Sequence, residues 1–251
     1  MATTAQQQAH NLPKISCLMV TKGELFPARF AIQCYRRQTY PNRELVVVCD
    51  RPGNEVERFI AQLKDPSIRY IHTGKAVLGA LRNVSVEHAA GDLLCQWDDD
   101  DLYHPRRLGF QYRQLVNSGQ AGHFLSRWLL WWPKRRLLGV SSHRVWEGSM
   151  LVRKDVLPPY PEKALAEDTH AIVELANNHR IVTSKAPGLY CYVVHGNNSW
   201  NTRHFVDMFR VATRIFPRDQ YDQKLLELSQ NMPVKAYAAS VDMTDVYTVS
   251  V

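Results

Sequence analysis

The chain has no Cys-x-x-Cys pair, no internal repeat, and no apolar run approaching the ~20 residues of a membrane span. Its five cysteines, Cys17, Cys34, Cys49, Cys95 and Cys191, are odd in number and far apart. That spacing argues against a disulfide framework and against a cysteine zinc site. All but Cys34 lie in apolar, strand-like stretches, which reads as small buried hydrophobes in a reducing compartment. Met1 to Pro13 is polar and glutamine-rich with no apolar core of a secretory signal, and predicts a disordered tail on a cytoplasmic protein. Acids are scarce between Pro105 and Pro158, where ten Lys/Arg accompany only Glu147 and Asp155. No recognisable nucleic-acid module accompanies this basic excess.

What is present suffices for a large core. With 251 residues and 45% hydrophobic content, one α/β domain with a helical C-terminal extension is expected. The formal charge of +7 favours an anionic partner, and its concentration after Pro105 suits a phosphorylated ligand.

The apolar pattern alternates. Ile15 to Val20, Leu45 to Cys49, Ser67 to His72 and Asp92 to Trp97 read as strands. Helices are predicted from Pro27 to Gln38, from Pro52 onward with Val56, Phe59, Ile60 and Leu63 on one stripe, and from Val77 to Ala90. Such alternation makes a mostly parallel sheet, whose ligands bind at the carboxyl ends of the strands. Further on, Phe124 to Ser142 reads as two apolar strands around a Pro-Lys-Arg-Arg turn, and it contains three of the six tryptophans. It is a hairpin covering the sheet, or a Trp/Arg-rich edge in peripheral contact with a membrane. Glu162 to Asn178 is predicted helical, Ile181 to Val194 strand-rich, and Thr202 to Phe216 and Asp219 to Gln230 helical.

The fourth strand ends in Asp98-Asp99-Asp100-Asp101, followed by Pro105. Like charges this close repel by roughly 1 kcal/mol per pair even in water, so a cation is expected among them. In an extended segment Asp98 and Asp100 would share one face, and an Asp-x-Asp pair offers hard oxygen ligands to a divalent ion. A solvated acidic turn is the alternative. Thr21 follows the first strand and Asp50 the second, so the suggestive residues all fall at carboxyl ends.

In order and spacing these landmarks resemble the inverting family-2 glycosyltransferases of the GT-A fold. The resemblance rests on Ile15 to Thr21, Gln38-Thr39-Tyr40-Pro41 with Glu44 to Val48, Leu81-Arg82-Asn83, Ala90-Gly91-Asp92, the aspartate run, Gly148 to Leu151, and Ala166-Glu167-Asp168. It spans about residues 14 to 200 and implies a GT-A (Rossmann-like), mostly parallel sheet flanked by helices. The domain is read as 14–230, with a nucleotide-binding half at 14–105, an acceptor-side half at 106–200 and a helical extension at 201–230. Residues 1–13 and 231–251 are read as tails. The family's usual first acid after the second strand is here Cys49, and Q-x-x-R-W of the processive polymerases is absent.

The resemblance implies an enzyme that takes a sugar from a nucleotide-diphosphate sugar, a UDP-sugar foremost, to a hydroxyl of a glycan or lipid-linked glycan, non-processively. It implies that Asp100 and Asp98 hold Mn²⁺ or Mg²⁺ and that His195 completes the shell, with loop stabilisation the alternative for His195. Thr21, Asp50, Arg82, Asp98 and Asp99 would bind the nucleotide sugar, Arg82 through phosphate, with a surface helix arginine as the alternative for Arg82. Asp168 would be the general base, with Glu167 orienting the acceptor or the helix, although the pair is also an ordinary acidic first helical turn. The competing functions are a nucleotidyltransferase and a non-catalytic metal-binding protein. The former normally carries a Gly-rich phosphate loop, whereas Thr21-Lys22-Gly23-Glu24 has a single glycine.

Overall fold

Short runs rich in valine, isoleucine and leucine cannot bury all their surface as helices of that length, and here they form central strands covered on both faces. The computed structural model describes residues 12–241. Strands β1 (Ile15–Val20), β2 (Arg43–Cys49), β3 (Ile68–His72) and β4 (Leu93–Gln96) alternate with helices α1 (Leu25–Arg36), α2 (Glu55–Leu63) and α3 (Leu78–His88). Then come β5 (Leu102–Tyr103), α4 (Arg107–Ser118), β6 (Gly122–Leu125), β7 (Leu129–Trp132), β8 (Leu137–Val140) and β9 (Leu151–Arg153). The chain continues through α5 (Glu167–Asn178), β10 (Ile181–Ser184), β11 (Tyr190–Val193), α6 (Thr202–Arg210), β12 (Arg214–Ile215), α7 (Arg218–Ser229) and α8 (Val234–Ser240).

Seven strands form one sheet in the order β10-β6-β9-β4-β1-β2-β3. It is mixed and mostly parallel, as expected: β1 lies parallel to β2 and β4, β2 to β3 and β6 to β10, while β9 runs antiparallel between β4 and β6. The parallel register brings the ends of β1, β2 and β4 to one edge, which places Thr21, Asp50 and the aspartates together. A second sheet, β12-β8-β7-β11-β5, stands beside it.

Local chemistry moved several boundaries. Helix α2 starts at Glu55 rather than Pro52, because the Asn54 side chain accepts from the Glu57 amide at 2.9 Å and caps it. Helix α5 starts at Glu167 rather than Glu162, after Ala166 in a left-handed conformation. The helix expected over 202–216 stops at Arg210, since Arg214 and Ile215 pair with Val140 and Gly139 as an edge strand. The predicted hairpin at 124–142 is divided: β6 belongs to the large sheet, and β7 and β8 make the hairpin in the small one. Trp128, Trp131 and Trp132 are buried, and the Trp131 indole donates to the Tyr221 hydroxyl at 2.9 Å. The tryptophans are therefore core, which overturns the membrane-edge alternative for them. Among the described residues no helix is long and apolar enough to cross a membrane.

The stretch 231–251, read as a tail, begins with α8, whose Tyr237 packs on Phe26, Phe30 and Trp131. Its last residues, from 242, and residues 1–11 lie outside the described ones. Near the start, the Tyr40 hydroxyl donates to the Pro13 carbonyl at 2.7 Å.

Helix α3 also anchors the segment that leads into α5. Asn83 exchanges two 2.8 Å hydrogen bonds with the Tyr160 backbone, and the Gly79 amide donates to the Lys163 carbonyl at 3.0 Å. A Cβ on Gly79 would lie 1.9 Å from the Pro161 carbonyl oxygen, a backbone atom that cannot step aside. Gly79→Ala is expected to cost about 2 kcal/mol or more of stability, as overpacking does. Urea denaturation measures it, and an unchanged midpoint would show that the segment does not rest on α3.

Candidate active site

The four aspartates do not continue the strand. β4 stops at Gln96, and Asp99 and Asp100 form a turn before β5, so the alternation of faces expected for an extended run is not what brings the carboxylates together. The tertiary structure sorts them instead. Asp101 turns inward, 1% exposed, and accepts from the Val193 amide at 2.9 Å and from the Tyr190 hydroxyl. Burial and the charges of Asp100 and Asp98 push its pKa up. It anchors the loop.

Asp98 accepts from the Gln96 amide at 2.7 Å, from Arg82 at 3.3 Å and from the Tyr190 hydroxyl at 3.4 Å. Burial pushes it upward, against the pull of the Arg82 guanidinium. Asp99, hydrogen-bonded to Thr21, is pushed up to about 7 by burial and by the charge of Asp100. Asp100 meets the His195 Nε2 at 3.0 Å and the Asn198 amide at 3.3 Å, both on its Oδ2. Thr21 Oγ1 accepts from the Gly23 amide at 3.1 Å.

Arg82 is buried, and its Nε donates to Glu167 at 2.6 Å. With Asp98 on its Nη2, the guanidinium bridges the aspartate loop to the first turn of α5. Glu167 is only 2% exposed and its carboxylate is held by Arg82, so of the two roles read for it the structure carries a contact for orienting the helix. Asp168, the next residue, is raised to about 6 by burial, against the pull of Arg82 and with help from the charge of Glu167. Its Oδ1 accepts from the Thr169 amide at 2.7 Å.

A cavity of about 570 Å³ is lined by all nine residues singled out from the sequence: Thr21, Asp50, Arg82, Asp98, Asp99, Asp100, Glu167, Asp168 and His195. Other residues that shape it were not legible. Arg107 is fully buried and donates to the carbonyls of Gln96 at 2.9 Å and Gly148 at 3.2 Å. The rings of Trp97, Tyr103 and Tyr190 lie around it. An arginine opening a helix reads as surface, and no spacing signals otherwise. Asn198 did have a signal, as an amide beside the Gly196 turn. Gly148, in the Gly148 to Leu151 motif, sits in a single 3-10 turn ahead of β9: a Cβ there would lie 2.8 Å from the Tyr190 hydroxyl and 3.2 Å from Asp98 Oδ2, so only glycine lets that turn approach the loop.

Residues 16–128 match the family model described as glycosyl transferase family 2. Over that stretch, under half of its length, the chain is similar to the family-2 glycosyltransferases. Among curated proteins it is 35% identical over 101 residues to the colanic acid biosynthesis glycosyl transferase WcaA of Escherichia coli, covering 39% of this chain and 36% of WcaA. It is 31% identical over 113 residues to the glycosyltransferase MJ1057 of Methanocaldococcus jannaschii, covering 42% of this chain and 38% of that one. The matches thus span well under half the length of these curated relatives. Among solved structures, Staphylococcus aureus TarS 1–349 superposes with a TM-score of 0.59 at 15% identity, over 92% of this chain and 88% of that one. The mannosyltransferase PcManGT from Pyrobaculum calidifontis, solved with GDP-Man and Mn²⁺, gives 0.58 at 15% identity, over 96% and 82%. At such identities the shared property is the GT-A fold.

The donor set in this cavity suits the divalent ion that the GT-A fold implies. Among the described residues no three acid, histidine or cysteine side chains already close into a cage. Burial first, and then the charge of Asp100, push Asp99 up to about 7, and a cation beside Asp98 and Asp100 would relieve the charge part of that cost. Oxygen ligands with one imidazole favour Mg²⁺ or Mn²⁺.

Proposed function

We propose that this domain transfers a sugar, with inversion and non-processively, from a nucleotide-diphosphate sugar to a hydroxyl of a glycan or lipid-linked glycan in the cytoplasm. The observation that carries the reading is one cavity holding both a crowded aspartate loop and, across the Arg82 bridge, a carboxyl tuned to about 6. A general base works best when its pKa lies near the working pH.

Asp100 and Asp98, with His195 beside them, would hold Mn²⁺ or Mg²⁺. When bound, the ion supplies Lewis-acid charge at the diphosphate. Thr21, Asp50 and Asp99 line the strand ends where the nucleotide would lie. Arg82 is the positioning residue that sets α5 against the aspartate loop. Asp168 takes the proton of the acceptor hydroxyl as that oxygen bonds to the anomeric carbon, and the diphosphate leaves with the electron pair of the broken C–O bond. Attack opposite the leaving group inverts the centre. The TarS structures with UDP and UDP-GlcNAc and the PcManGT structure with GDP-Man support the donor class, and the absence of Q-x-x-R-W supports a single transfer.

A thermal-shift screen of UDP, GDP, ADP and CDP with and without Mn²⁺ tests this. One nucleotide is expected to raise the melting temperature only with the metal, as a ligand bound at 100 times its Kd adds about 2.7 kcal/mol. No shift with any pair would overturn the donor assignment.

A further inference from the structure

Trp200 is 39% exposed although it is among the largest apolar side chains here, and it lines the cavity. Leu165, equally exposed at 39%, does the same just ahead of Asp168. Among the described residues these are the two exposed large apolar side chains on the cavity wall. Deeper, the aspartates, Glu167 and Arg82 make the floor charged, with the less exposed Val20, Leu78 and Leu81 beside them. An apolar surface left open beside a polar floor marks a place where something apolar docks.

The platform is built. One face of the Trp200 indole is covered by the His204 imidazole, 4.6 Å away with the planes 17° apart. His204 is fixed at the start of α6, where its amide donates to the capping Asn201 side chain at 3.1 Å. On the other side the loop is stapled to the floor: Asn198 donates to the Val193 carbonyl at 2.9 Å and to Asp100, and accepts from the His195 amide at 3.0 Å. Burial and the charge of Arg144 hold the His204 pKa below 6.5, with Asp207 pulling the other way. The supporting ring is therefore neutral at neutral pH, and the surface it presents through Trp200 is apolar.

We propose that the open face of Trp200 is a stacking platform for a pyranose ring of the acceptor glycan. The inference rests on the transferase reading above. A pyranose presents one face of C–H groups, and burying that face on an indole removes apolar area from water while its hydroxyls stay wet. The diphosphate and its sugar would occupy the carboxylate floor, so the rim at Trp200 and Leu165 is left for the ring that arrives from solvent and offers its hydroxyl to Asp168. The stacking uses the C–H face alone, so a neutral sugar suffices to probe it.

The test uses the full chain with Mn²⁺ and whichever of UDP-GlcNAc, UDP-glucose and GDP-mannose it hydrolyses. Nucleotide release is followed against a panel of methyl glycosides and disaccharides of glucose, galactose, mannose and N-acetylglucosamine. At least one sugar is expected to accelerate release in the parent. Trp200→Ala should raise the KM for that sugar about 10-fold, leaving the donor KM within about 2-fold. Trp200→Phe should recover most of the loss, since a ring is restored. An unchanged sugar KM in Trp200→Ala overturns the proposal. A parallel rise in donor KM overturns it too, by placing the indole on the donor. Donor hydrolysis that no sugar of the panel accelerates removes the platform while leaving the transferase intact, whereas failure of every nucleotide sugar to bind removes the transferase reading itself.

Discussion

Asp168→Asn lowers turnover by about 100-fold or more while leaving nucleotide-sugar affinity nearly unchanged. The amide keeps the size and the hydrogen bond from the Thr169 amide but cannot take a proton. The pH profile makes the result specific. Burial holds this carboxyl at about 6 rather than 3.8, so the active, ionised form is lost as the pH falls through about 6. The parent's kcat/KM should show that acid limb, and the residual activity of the variant should not. Stability should move the opposite way. A carboxyl that ionises at about 6 when folded but at 3.8 when unfolded binds more protons in the folded state between those values, so its ionisation weakens the fold as the pH rises through that window. At pH 8 the variant should therefore melt no lower than the parent. Single-turnover kinetics with the donor settle the assignment, and an equal loss of donor affinity would move Asp168 into the nucleotide site.

Asp100→Asn should abolish Mn²⁺-dependent nucleotide binding, by about 100-fold or more in affinity, with the fold retained. The side chain sits on the cavity wall about a quarter exposed, and its neighbours His195 and Asn198 can still donate to the amide oxygen. What is lost is the charge. An amide oxygen is a poor substitute for a carboxylate facing a hard cation, and the local repulsion that a metal would relieve is also reduced. Calorimetric titration of UDP and GDP with and without Mn²⁺ reads both effects. Unaltered metal-dependent binding in the variant would show that the ion is held elsewhere.

Much of this architecture was visible in the chain. The strands at 15–20, 45–49 and 68–72 were legible because valine- and isoleucine-rich runs of that length suit buried parallel strands. Their carboxyl ends then predicted where the candidate residues gather, and one cavity is lined by every residue chosen on that basis. The aspartate run drew attention by its electrostatic cost, but its geometry was misjudged: Asp99 and Asp100 turn, and Asp101 leaves the group to anchor the loop on Tyr190 and Val193. The Phe124 to Ser142 segment misled in another way. Its apolar residues identify a hairpin, but hydrophobicity does not say which body the hairpin covers.

By itself the sequence determined the alternating strands and helices, the edge of the sheet at which the candidate residues meet, and the oxygen-rich character of that cluster. Those follow from local periodicity and from the chemistry of single side chains. Only the tertiary structure decided that Arg82 is committed to Glu167 and Asp98 in the cavity that Asp168 also lines, that Arg107 is buried beneath the loop, and that Trp200 stands exposed at the cavity rim. These depend on which distant segments meet and on how much water each group loses in meeting them. Spacing along a chain carries neither quantity.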